Sequence, residues 1–136
     1  MARENKKSSI IIDPVQMNIT NRISEGSRSS GTIEFNGGLL IQGQQSGELT
    51  VHNGPLVVMA GGQVSGTVLV NGDAYIFGRV GSSEMADRET VITVNGTLHL
   101  TSSCVVYGKI RYAKLAMYEG AQIRGSIESL SHGSSQ

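Results

Sequence analysis

Few residues in this chain combine the type and the spacing that catalysis or metal binding requires. The histidines, His52, His99 and His132, are far apart in the sequence, and none stands at a metal-ligand spacing from another donor. Cys104 is the single cysteine and cannot form an internal disulfide, and the aspartates and glutamates are scattered rather than paired. The sequence therefore predicts no catalytic residue, no cofactor and no metal site, so we expect that the protein is not an enzyme.

Composition and charge exclude further classes of function. The 136 residues carry 11 Lys and Arg against 11 Asp and Glu, whereas proteins that bind nucleic acids usually have a basic excess. Aromatic residues make up only 4% of the chain, so a stacking platform for single-stranded bases is not expected. No stretch has the composition of a transmembrane helix or of a signal peptide. We expect a cytoplasmic protein that does not bind nucleic acid.

The elements that must position these residues follow a six-residue repeat. In steps of six from Gly54 to Gly108, six of ten positions are glycine, and the residues two and four places after each are mostly apolar, as at Val68 and Val70. Side chains two residues apart on a strand point to the same side. Each unit is therefore predicted to be a short strand with two inward side chains, and glycine removes the clash at each bend.

Asn-Gly pairs provide a second count along the chain. They begin at Asn36, Asn53, Asn71 and Asn95, at intervals of 17, 18 and 24 residues. Asn-Gly is also a hairpin signal, so an antiparallel sandwich is the alternative, but hairpins do not explain a constant six-residue phase. Windings of three short strands, about 18 residues each, explain both counts. The predicted fold is all-β, a parallel β-helix of about six windings with flexible termini.

The same frame predicts where the chemically interesting side chains point. His99 lies between two inward leucines and therefore points outward, and His52 lies beside an Asn-Gly corner. Cys104 takes an inward position, where cysteine packs as a small hydrophobe.

Three segments depart from the repeat and define the expected domain boundaries. Residues 81–89 keep the phase but lose the apolar pairs, which predicts a loop bulging from a corner, with a poor strand as the alternative. The pattern over residues 13–23 fits both a short helix and a strand. We expect a flexible tail over residues 1–28, the β-helix over residues 29–130 and a disordered tail over residues 131–136.

Several motifs, in their order along the chain, resemble those of a known family. The segment Ile23–Val51 has I-x-E-G, then G-x-I, then a glycine-preceded L-x-I-x-G, then G-x-L, and it is similar to the entry segment of the bactofilins, a bacterial polymer-forming cytoskeletal family. The segment Leu115–Ile127, "LAMYEGAQIRGSI", resembles the closing winding of that family. Gln42 stands where the family often has aspartate, and Ile123 stands where an aromatic residue is common.

The resemblance implies a right-handed parallel β-helix that polymerises without nucleotide. We therefore expect a cytoskeletal scaffold that stacks end to end into filaments and recruits partners such as cell-wall or morphogenesis proteins. Open ends of a β-helix are templates for pairing with another chain. The predicted polymerisation interface consists of apolar residues of the end windings, namely Ile33, Phe35, Leu39 and Ile41 at one end and Met117, Ile123, Ile127 and Leu130 at the other.

The N-terminal tail joins basic and apolar side chains. The resemblance places such filaments at the inner face of the cell membrane, and basic residues attract anionic lipid. The residues predicted to contact the membrane are Arg3, Lys6, Lys7, Ile10, Ile11 and Ile12.

Two other functions compete with the scaffold. One is a left-handed hexapeptide-repeat enzyme of the acyltransferase type, although that repeat places one large inward side chain in each unit and this chain usually places two. The other is a β-helical binding module that does not polymerise.

Overall fold

A computed structural model describes residues 12–81 and 90–130. These residues form 16 β-strands, and they contain no α-helix. The paired strands are parallel throughout. The prediction of an all-β parallel β-helix is confirmed.

The strands lie on three faces, and each face holds six strands or strand halves stacked along the axis. The first face consists of β1 (Ile19–Ile23), β4 (Gly38–Ile41), β7 (Leu56–Val58), β10 (Ala74–Ile76) and the second halves of β12 (Val91–Leu100) and β14 (Lys109–Met117). The second face consists of β2 (Arg28–Ser29), β5 (Gln44–Gln45), β8 (Gln63–Val64), β11 (Arg79–Val80), β13 (Val105–Val106) and β15 (Gln122–Ile123). The third face consists of β3 (Thr32–Asn36), β6 (Glu48–His52), β9 (Thr67–Asn71), the first halves of β12 and β14, and β16 (Ser126–Ser129).

The chain visits the three faces in turn, so one strand from each face makes a winding. The first winding contains β1, β2 and β3, and the sixth contains the second half of β14 with β15 and β16. The predicted number of windings, about six, is confirmed, and so are the three strands in each.

The core consists of the inward positions that the six-residue frame identifies. Val68 and Val70 on the third face are 1% and 0% exposed, and Leu98 and Leu100 on the first face are both 0% exposed. Cys104 is also buried, as expected. Because burying one such aliphatic side chain is worth about 1.5–3 kcal/mol, stacking the windings supplies the main stabilisation of the fold.

Glycine is required where one corner rests on the corner below. Gly66 has φ +97°, and a β-carbon built on it would overlap the carbonyl oxygen of Gly47 in the winding below. A larger residue would therefore meet both backbone strain and a clash with backbone that cannot move aside.

The corner between the third and first faces carries a stack of asparagines. Asn53 Nδ2 donates to Asn36 Oδ1 at 2.6 Å, and Asn95 Nδ2 donates to Asn71 Oδ1 at 2.7 Å. The Asn-Gly spacing of the sequence is thus the spacing of successive windings at one corner. Amide side chains tie these windings together along the axis.

The β-helix begins earlier in the chain than residue 29. Residues 14–18 form turns, and β1 starts at Ile19, so the strand alternative holds for the end of this segment. The six-residue repeat is not apparent in this segment because polar residues occupy positions where the repeat predicts apolar ones. Asn21 is in register with Leu39, and Ser29 is in register with Gln45. The predicted bulge lies outside the described residues from residue 82 to 89, as does the predicted tail at 131–136.

Candidate functional site: the two ends of the β-helix

Each end of the β-helix presents strands that pair on one side only. In the first winding β1 pairs with β4, β2 with β5 and β3 with β6, and within the described residues none of the three has a second partner. In the sixth winding β15 pairs only with β13, and β16 only with β14, within the same part of the chain. Both ends therefore carry open strand edges that a further parallel or antiparallel strand could extend.

The inward side chains of the first winding include apolar ones that are only partly buried. Ile33 and Phe35 are half-buried and pack against the core, where they stand in register with Leu49 and Val51 of the second winding. Ile23 is 7% exposed. The end of the β-helix thus exposes part of its core in cross-section.

Two of the predicted interface residues lie deeper than the end winding. Leu39 and Ile41 belong to the second winding and are both 0% exposed. They stand in register with Asn21 and Ile23 of the first winding. In this conformation Leu39 and Ile41 belong to the core beneath the first winding and are not accessible to a partner.

The opposite end is also apolar, and all four predicted residues lie there. Ile123 and Ile127 are half-buried against the core, Leu130 is half-buried, and Met117 is 46% exposed. Leu115 completes this surface. It follows the six-residue frame, so the signal for it was present in the sequence.

Charged side chains flank the apolar ends on the third face. His52 Nε2 lies 2.6 Å from Glu34 Oε2 near the first winding. At the other end, Glu128 Oε2 lies 3.2 Å from Arg111 Nε and 3.7 Å from Lys109 Nζ. On the third face Glu34 lies in the first winding, whereas Lys109 and Arg111 lie in the fifth, beside Glu128 of the sixth.

Among the described residues, His52 and His99 lie on different faces of the β-helix, and Cys104 is buried. His52 bridges Glu34 and Asn71 on the surface, and His99 stacks on Tyr75 with ring centroids 4.4 Å apart. Burial lowers the pKa of His99, against a smaller raising effect of Asp73, and burial raises the pKa of Cys104. Among residues 12–81 and 90–130 no three His, Cys, Asp or Glu side chains come together as a metal site would require. His132 lies outside the described residues.

The second face also carries a recess. It has a volume of about 350 Å³, and its polar lining includes Gln44, Gln63, Arg79 and Ser103 beside bare backbone at Gly61. Among the described residues that line it, none is a histidine, cysteine, aspartate or glutamate.

Comparison with known proteins assigns the family. The family profile of bactofilins, described as polymer-forming cytoskeletal, matches residues 21–128. The chain belongs to the bactofilin family. The expectation drawn from the sequence motifs is thereby confirmed, and the matched region begins in β1 and ends in β16. No curated protein and no solved structure gives a significant match.

The bactofilin match covers the β-helix but not the predicted membrane-contact residues. Arg3, Lys6, Lys7, Ile10 and Ile11 lie outside the described part of the chain, and Ile12 is half-buried. Among the described residues, no helix is long and apolar enough to cross a membrane.

Proposed function

We propose that this bactofilin is a structural scaffold that assembles into filaments by stacking its β-helices end to end, without nucleotide. The observation that carries the proposal is that both ends combine open strand edges with apolar side chains that the protomer itself only partly covers. A solenoid that stays monomeric needs end repeats with a polar outer face. Neither described end has one.

The contact is proposed to consist of the side chains that the end windings leave accessible. At the first winding these are Ile33 and Phe35, and at the sixth they are Met117, Ile123, Ile127 and Leu130. Strand pairing across the junction would supply backbone hydrogen bonds, and the apolar side chains would continue the core from one protomer into the next.

The test is negative-stain electron microscopy of purified protein without added nucleotide, over several salt concentrations. We expect filaments whose axial repeat is about six winding heights of 4.8 Å, or roughly 29 Å, for each protomer. Discrete particles at micromolar concentration under all conditions would contradict the proposal.

We further propose that the filaments lie at a membrane surface and recruit partners, among them cell-wall or morphogenesis proteins, along their sides. Three basic residues and three isoleucines precede Asp13, and each basic residue near an anionic surface is worth about 1 kcal/mol. One tail is weak, but an array of tails on one filament acts multivalently.

Co-sedimentation with anionic vesicles tests the membrane contact. Full-length protein is compared with a chain lacking residues 1–12, at low and at high salt, after subtraction of polymer that pellets alone. We expect the full-length protein to pellet with vesicles at low salt and the shortened chain to remain in solution. Equal pelleting of the two would remove the tail from the mechanism.

A further inference from the structure

The third face sorts its outward charges along the axis. The strand register aligns one outward residue of each winding in a column, which contains Glu34, Thr50, Leu69, Thr93, Arg111 and Glu128 in order. A second outward column contains Thr32, Glu48, Thr67, Val91, Lys109 and Ser126. Of the charged residues in these two columns, Glu34 and Glu48 lie in the first two windings, Lys109 and Arg111 lie in the fifth, and Glu128 lies in the sixth.

Among the described residues, the two outward columns carry no charge in the third and fourth windings. Thr50, Leu69, Thr93 and Val91 are half-buried, and Thr67 is exposed. These threonine, leucine and valine side chains stand on a regular parallel ladder. Such a surface can pack against another sheet at about 10 Å without burying an unpaired charge.

The ionic contacts within the protomer do not cancel the difference in charge between the two ends of the third face. Glu128 is shared by Arg111 and Lys109, so one carboxylate faces two cations and the end stays net positive. At the beginning, Glu34 Oε2 contacts His52 Nε2, and Glu48 Oε1 accepts from the hydroxyl of Thr32 at 3.5 Å.

From this arrangement we infer that the third face binds the third face of a second copy of the chain, in antiparallel orientation about a two-fold axis that passes beside Leu69. A two-fold contact brings residue i against residue j and j against i. Glu34 and Arg111 lie two windings on either side of Leu69, so the antiparallel arrangement sets each against the other. A parallel arrangement would instead set acid against acid and base against base, which is unfavourable.

The third face is too small to hold two isolated protomers together, so we expect this contact only between filaments. Five windings at about 4.8 Å and strands of about 17 Å give roughly 400 Å² on each protomer, or about 800 Å² for the two faces together. That total is below the roughly 1,000 Å² expected of a stable interface. Repeated along two filaments the contact becomes multivalent, so it joins filaments laterally and not isolated protomers. The inference therefore rests on the proposed filament.

Charge reversal followed by mixing tests the electrostatic part. One variant carries Glu34→Lys with Glu48→Lys and another carries Lys109→Glu with Arg111→Glu. We expect wild-type filaments to form pairs in negative stain, each variant alone to form single filaments, and a mixture of the two preformed filaments to pair again. Arg28→Glu with Arg79→Glu, on the second face, makes the same charge change as the second variant and should leave the pairs intact.

Cross-linking tests the position of the two-fold axis. In a Cys104→Ala background, Leu69→Cys should give a covalent dimer with a short bismaleimide, because residue 69 faces its own copy. Gln63→Cys lies in the same winding on the second face and should give at least tenfold less dimer.

The outcomes separate this inference from the proposed function. Wild-type filaments that stay single, or variants that pair as well as the second-face control, would overturn the lateral contact and leave the end-to-end proposal standing. Absence of filaments would overturn both, because the lateral contact depends on the array.

Discussion

His99 and Gln45 each contain a buried polar atom that affects the stability of the fold. The sequence did not indicate this. His99 stacks on Tyr75, and its Nδ1 is buried without a hydrogen-bond partner in the described part of the chain. Burial raises the pKa of Tyr75, and the charges of Asp73 and Tyr118 raise it further. Burial outweighs Asp73 at His99 and keeps its pKa below the ordinary value.

We expect stability to fall as the pH is lowered past the ordinary histidine pKa, about 6.5. The unfolded chain takes up a proton at His99 before the folded chain does, so this contribution is fully present above that pH and is lost as the pH approaches the lower folded pKa. His99→Phe keeps the stack and cannot titrate. Thermal unfolding followed by circular dichroism should show a smaller loss of stability between neutral and acidic pH for this variant. Identical pH profiles for variant and wild type would contradict the assignment.

Gln45 occupies an inward position of the second face. It is 1% exposed, its Nε2 donates to Ser46 O at 2.9 Å, and its Oε1 has no hydrogen-bond partner among the described residues. An unsatisfied buried polar atom costs about 1–3 kcal/mol.

Gln45→Met should therefore increase the free energy of unfolding by about 1 kcal/mol, because methionine has a similar shape and no polar oxygen to satisfy. Denaturant unfolding measures the change. The neighbouring Gln44→Met is the control, since Gln44 is exposed and its replacement should have little effect. A destabilised Gln45→Met would indicate that the amide makes contacts worth more than its unpaired oxygen costs.

At the scale of elements, corners decide how closely windings stack. Gly66 needs a positive φ and lies against the backbone of Gly47, whereas Gly61 has an ordinary φ and open space where a β-carbon would go. Both lie between strands, Gly61 in a turn and Gly66 in a bend, and only the neighbouring winding distinguishes them.

Gly66→Ala should lower the free energy of unfolding by more than about 1 kcal/mol, since it combines backbone strain with a clash. Gly61→Ala should be neutral or slightly stabilising, because it only reduces the entropy of the unfolded chain. Chemical denaturation of the two variants checks the difference. Equal stabilities would show that the corner relaxes around the added methyl group.

At the scale of the whole molecule, folding and assembly both depend on burying the inward apolar residues of the windings. The inward residues of the middle windings are covered by windings above and below, whereas those of the first and sixth are covered on one side. Ile127 is half-buried, and Val70, also on the third face, is 0% exposed.

Ile127→Arg should abolish filaments and leave a folded protomer, because its charge lies at an open end. Val70→Arg should unfold the chain, because burying an unpaired charge costs several kcal/mol. Electron microscopy reports filaments, and circular dichroism reports folding. Loss of β-structure in Ile127→Arg would make that residue part of the core and not of the contact.

The alternation of side chains and the glycine corners were predictable because they are local properties. A strand places residues two apart on one side, so the inward assignments of Val68, Val70, Leu98 and Cys104 follow from the chain alone, as do the number of windings and the family. The apolar residues of the sixth winding were found in the same way, since Ile123 and Ile127 continue the frame to its end.

Other features depend on which residues stacking brings together. The start of the β-helix at Ile19, the full burial of Leu39 and Ile41, and the contacts of His52 with Glu34 and Asn71 join residues about one winding apart in the chain. The offset between windings varies with each corner and insertion: Asn53 and Asn36 are 17 residues apart and Asn95 and Asn71 are 24 apart. A local pattern identifies which side of a strand is buried, but only the register between windings decides what lies above it, and that register is set by tertiary packing.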